Sequence, residues 1–159
     1  MKQKTMARWL RAILVGAGLC GLGVYFVVFP ALGRHIAAAE PEFSYCYWPW
    51  LLFIWGSGAP CYAAVALAWR IVTKIGRDRS FCMENARDLQ RIAIAAAVDA
   101  AYFFIGNIVF LFLGMNHPGV VLGSMVIVFV GLAVAAIAAA LSHLVRKAAD
   151  LQEQSDLTI

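Results

Sequence analysis

Residues 70–91, RIVTKIGRDRSFCMENARDLQR, form the one long polar run between two apolar blocks, and their reading decides the fold. Arg70, Lys74, Arg77, Arg79, Arg87 and Arg91 outnumber Asp78, Glu84 and Asp88, so the run is basic. Apolar stretches long enough to cross a bilayer flank it on both sides. A short basic loop between two such stretches stays in the cytoplasm, because translocating Lys and Arg is disfavoured. The run therefore orients every other segment. Within it, helical pattern continues past Arg70 to Ile75, and Gly76 is the expected C′ residue. A new helix is expected from about Met83, with Glu84 near the positive end of its dipole. Glu84–Arg87 and Asp88–Arg91 can pair at i,i+3. The polar part of that helix, 84–91, would stand about 12 Å proud of the membrane at 1.5 Å per residue. The connector reads as a projecting helical hairpin.

Working outward, four spans follow at about 12–32, 48–69, 92–113 and 120–145, each long enough for a hydrocarbon core of roughly 30 Å. The first is preceded by basic residues, and Ala37-Ala38-Ala39 imitates a cleavage site, but its apolar run exceeds that of a signal peptide. A retained span is the preferred reading. Residues 33–47 and 114–119 are read as outside loops, 70–91 as the cytoplasmic connector and 146–159 as a cytoplasmic tail. The expected fold is all-α: one integral membrane four-helix bundle, both termini cytoplasmic, with helices 2, 3 and 4 extended into the cytoplasm. Pro60, after Gly56, Ser57 and Gly58, should kink the second span. Small residues four apart (Ala12, Gly16 and Cys20; Ala17 and Gly21; Gly131, Ala135 and Ala139) allow close helix packing. Association with a second copy stays open.

Composition excludes the soluble class. With 63% hydrophobic residues, 14% charged and a mean hydropathy of +0.79, a soluble fold would expose more apolar surface than water tolerates. The net charge of +4 is no nucleic-acid signal, because Arg34 is the one basic residue placed outside. Positive-inside bias accounts for it, and direct nucleic-acid binding is not expected. The four cysteines form no Cys-x-x-Cys pair, and only Cys46 would face an oxidising compartment. His35, His117 and His143 are isolated, so no metal or other cofactor is expected. No nucleophile–base pair, paired carboxylates or phosphate-cradling loop is present, and the chain does not read as an enzyme.

The residue that asks for a chemical reason is Asp99, since a carboxylate in mid-span costs about 2.5–3.5 kcal/mol on insertion scales. Depth matching brings Tyr62 of the second span to its level, and Tyr102 lies on its own helix, so a tyrosine hydroxyl is the expected partner. Asp99 is then a proton or cation site, or else an interhelical clamp. Asn107 is expected to make a helix–helix hydrogen bond. The aromatic cluster Phe43, Tyr45, Tyr47, Trp48 and Trp50 reads as an interfacial belt, with a ligand-sensing surface as the alternative.

Two stretches carry a resemblance. Phe81, Glu84, Asn85, Leu89 and Ile92 open the third helix, and Ala148, Ala149, Leu151, Gln152, Glu153, Asp156, Leu157, Thr158 and Ile159 close the chain. In these the sequence resembles the small four-span bacterial membrane proteins of domain-of-unknown-function family twenty-nine seventy-five. There the first motif resembles Phe-Ser/Thr-x-Glu-Asn; here Cys82 stands at the hydroxyl position that would cap the helix. The last motif resembles Glu-Asn-Asp-Leu-Thr-Ile or Val; here Gln154-Ser155 replaces Glu-Asn. Such proteins are often encoded beside a small helix-turn-helix regulator. The resemblance thus implies a bacterial inner-membrane protein that captures or modulates a cytoplasmic transcription regulator. Phe81, Glu84, Asn85, Leu89, Leu151, Asp156, Leu157, Thr158 and Ile159 are the expected docking residues. The other reading is a small proton- or cation-linked transporter using Asp99. Mutual packing of the two stretches would equally explain their composition.

Overall fold

A computed structural model describes residues 3–156 and, over them, consists of helices and short turns. Helix α1 is Gln3–Gly23, α2 Phe29–Ala39, α3 Tyr47–Ile75, α4 Met83–Phe112 and α5 Pro118–Asp156. A π-helical turn, Val24–Val28, joins α1 to α2. Four stretches are long and apolar enough to cross a membrane: Lys4–Ala39, Pro41–Ile75, Met83–Phe112 and Pro118–Ser155. The 39 residues of α5 reach about 58 Å at 1.5 Å per residue. That is nearly twice a hydrocarbon core of roughly 30 Å, so one end must project.

Residues 33–47 are not the expected loop. Helix continues through Ala39, because Ala37, Ala38 and Ala39 are strong helix formers, and it stops where Pro41 disfavours the α region for Glu40 (φ −126°, ψ 81°). A 3₁₀ turn, Pro41–Cys46, then leads straight into α3. Pro30 is accommodated at the start of α2, just after the π turn, where a widened ladder tolerates its missing N–H. Pro60 lies inside α3, which remains continuous across it.

Gly76 follows the last residue of α3 but is right-handed (φ −64°). The left-handed residue is Asp78 (φ 59°), whose N–H donates to Ile75 O while Arg79 N–H donates to Lys74 O, the two bonds of a Schellman stop. Glycine at 76 serves a close approach instead: a Cβ there would lie 3.2 Å from Ala7 Cβ on α1. At the far end Gly114 (φ 68°) stops α4 in the same way, with Met115 N–H donating to Phe110 O at 2.9 Å. Helix α4 starts at Met83 with no side-chain cap from Cys82.

The spans pack in chain order. Among the described residues α1 touches α3, α3 touches α4 and α4 touches α5, while α1 and α5 do not meet. The α4–α5 seam is built from small residues: Ala93, Ala100, Ala138 and Ser142 are buried, and a Cβ at Gly131 would stand 3.1 Å from Ala100 Cβ. Large apolar side chains such as Leu122, Val126 and Phe129 point outward. That inside-out distribution fits lipid as solvent, where a Leu gains nothing by leaving the surface. The beginning of α1, the connector and the end of α5 share one end of the molecule, through Ala7 against Gly76 and a bond from Ser142 to Ala86.

Candidate functional site

Two polar clusters interrupt this apolar row. The first lies within the spans, around Asp99. Its Oδ2 accepts from Cys61 Sγ at 3.5 Å, and Cys61 Sγ in turn accepts from Tyr25 Oη at 3.9 Å, so three consecutive spans meet through one thiol. Oδ1 is shielded from solvent and has no hydrogen-bond partner among the described residues.

The expected tyrosine partners are elsewhere. Tyr62 Oη donates to Gly18 O at 2.8 Å, and Tyr102 Oη donates to Phe53 O at 3.1 Å. Consecutive helical residues point about 100° apart. With α3 lying between α1 and α4, position 61 faces α4 while position 62 faces α1. Depth was matched, facing was not. Tyr102 reaches a carbonyl on α3 over Gly56, where a Cβ would strike its hydroxyl. Cys61 and Tyr25 are the residues that sequence reasoning missed, and a facing test at position 61 was the one signal available. Asn107 is fully buried, donates to Phe103 O at 2.8 Å and accepts from Asn116 at 3.0 Å. Its links are thus to its own helix and the adjoining turn, not to another span.

The second cluster holds the connector. The Asp88 side chain is 2% exposed and faces three cations: Lys74 Nζ at 3.2 Å, Arg91 Nη1 at 3.6 Å and Arg70 Nε at 3.6 Å. The Asp88–Arg91 pair is the expected one, whereas Glu84 pairs with Lys74 across the hairpin at 3.2 Å instead of with Arg87. Lys74 lies between two carboxylates, one buried and one exposed. Asn85 Nδ2 donates to Ser80 O at 2.9 Å and Arg79 O at 3.2 Å, tying the turn to the first coil of α4. Ser142 Oγ donates to Ala86 O at 2.7 Å, fastening α5 to the same coil.

These contacts sort the expected docking residues. Phe81 and Leu151 are each 59% exposed, Glu84 is exposed and Leu89 half-buried. Asn85 is buried and its amide is used by the turn, so it is not available to a partner. The side chain of Asp156 and all of Leu157, Thr158 and Ile159 lie outside the described residues.

The first motif stretch, and the second as far as Asp156, fall at the end of the molecule that the connector occupies. A family model described as "Protein of unknown function (DUF2975)" matches residues 31–159, which include both. The chain belongs to this family. It is also 23% identical over 160 residues to the "Uncharacterized membrane protein YoaS" of Bacillus subtilis (strain 168), with 99% of each chain covered. No solved structure matches it. With four helices able to cross a bilayer and a membrane-protein relative along its full length, the chain is a multi-pass membrane protein.

Proposed function

We propose that this protein is a membrane-bound regulatory partner whose connector hairpin and α5 extension form a cytoplasmic platform for a small helix-turn-helix transcription regulator. The observation that carries this reading is the contrast within this end of the molecule, hairpin and α5 extension together. Inside, Asp88 and Asn85 of the hairpin and Ser142 of α5 lock it, while Phe81 of the hairpin and Leu151 of α5 are exposed. A polar lock under exposed apolar side chains is what a preorganised binding surface needs, since ordering is then not charged to the binding step. Twelve of the thirteen basic residues belong to this end in sequence, which supports a cytoplasmic orientation. The choice of regulator rests on the family resemblance. The test is co-purification of the regulator with the full chain in mild detergent. Phe81→Glu and Leu151→Glu should each lower capture by about tenfold, as loss of an apolar anchor does, with helicity unchanged. Unaltered capture in both variants overturns the reading.

A second reading is favoured by one observation, the unpartnered Oδ1 of Asp99 beside Cys61 at the meeting of three spans. It makes Asp99 a proton or cation site in a small transporter, completed by a second copy against the side where α1 and α5 do not meet. Wild-type protein in liposomes should then carry pH-dependent flux that Asp99→Asn removes. No flux from wild type dismisses it.

A further inference from the structure

The end of the molecule opposite the connector contains a half-open cavity of about 520 Å³ between α2, the 3₁₀ turn, the start of α3 and the turn before α5. It exists because residues 29–39 are helix and not loop. Gly33 lets α2 lie against the Tyr47 ring, where a Cβ would come within 2.9 Å. The opposite wall is fastened by Trp50 Nε1, which donates to Met115 O at 3.1 Å, and by Asn116 Nδ2, which donates to Asn107 Oδ1 at 3.0 Å. Both walls are therefore formed before any ligand arrives.

The lining limits the chemistry of an occupant. The rings of Phe29, Phe43, Tyr47 and Trp50 line it together with aliphatic side chains such as Leu32 and Ile54, and among the described residues no Asp, Glu, Lys or Arg contributes. A charged group would enter unpaired and strongly disfavoured. His117 lines the cavity, and its Nδ1 accepts the Gly119 N–H at 3.0 Å. The neutral ring then carries its proton on Nε2, which gives this exposed side chain one N–H to donate. The volume is that of a site for a small molecule. We propose that this cavity binds an uncharged, lipid-soluble molecule with a flat apolar body and one carbonyl-type oxygen, which accepts a hydrogen bond from His117. The inference stands apart from regulator docking, and its test needs no regulator.

Benzophenone has this chemistry and labels neighbouring C–H bonds on irradiation. The full chain in phosphatidylcholine nanodiscs, irradiated with benzophenone and mapped by peptide mass spectrometry, should show saturable labelling concentrated at Met115 and the α2 and α3 cavity walls. Ala37→Trp should lower that labelling by about tenfold by filling the space that accounts for most of the contact. Val120→Trp, on the opposite wall, should do the same and serves if the first variant does not fold. His117→Phe should raise the half-saturating concentration about fivefold, the worth of one hydrogen bond, with the labelled positions unchanged. Labelling that rises linearly with dose along the lipid-facing residues of all helices overturns the proposal, as does cavity labelling unchanged in a folded Trp variant.

Discussion

Asp88 and Asp99 lie three turns apart on α4, and their surroundings are opposite. Asp88 is buried among Lys74, Arg70 and Arg91, while Asp99 has a thiol on one oxygen and, among the described residues, no hydrogen-bond partner on the other. The Asp88 carboxylate is thus engaged on both oxygens, and the mid-span carboxyl on one. A carboxylate surrounded by cations belongs to the architecture. One left short of partners in a low-dielectric setting is the better candidate for a group that changes its state. Removing one partner of a buried ion pair strands the rest, typically at about 3–5 kcal/mol. Arg70 and Arg91 are more than half exposed and reach water when Asp88 is gone, so the burden falls on Lys74. Lys74 keeps Glu84 at 3.2 Å, and the low end of that range applies. Asp88→Ala should therefore destabilise the connector end by about 3 kcal/mol, read as faster amide hydrogen exchange over 70–91. Protection equal to wild type would remove the lock from the comparison.

The next effects are smaller and test how far the lock reaches. Asn85→Ala removes two bonds that hold the turn and should cost about 2 kcal/mol at about 1 kcal/mol per bond. Ser142→Ala removes the single bond from α5 to Ala86 and should cost about 1 kcal/mol, measured by unfolding in mixed micelles. If Ser142→Ala equals Asn85→Ala, α5 is as much a part of the lock as the turn is.

Most of the helical framework was legible in the sequence, because lipid imposes length and apolarity on each span. The start of α4 at Met83 follows from the polar run alone, and the missing cap at Cys82 from the family resemblance. The end of the first span did not, because a proline at 41 and charges at 40 and 42 look like loop in a chain whose helix in fact persists through three alanines. The stop of α3 shifted from Gly76 to Asp78 because the glycine is needed for contact with Ala7, a constraint from 69 residues away in sequence that no local rule contains. Asp99 was found by its cost in lipid, but its partners were not, since that requires knowing that α3 lies between α1 and α4. Asp88, the better-connected carboxylate, was read only as a surface pair with Arg91, because Lys74 reaches it from across the hairpin.

The smallest expected effect is the most discriminating. Asp99→Asn keeps shape and an acceptor oxygen, and loses at most a 3.5 Å bond from a weak thiol donor. Polar contacts between helices in lipid average about 0.6 kcal/mol, and this one should fall below that average. Unfolding in mixed micelles should accordingly shift by less than about 0.5 kcal/mol. A loss of several kcal/mol would make Asp99 a clamp like Asp88 and erase the distinction between the two sites. A small shift leaves a carboxyl group whose price of insertion is not recovered as stability, and that is the condition under which a functional role is the remaining physical reason for its presence.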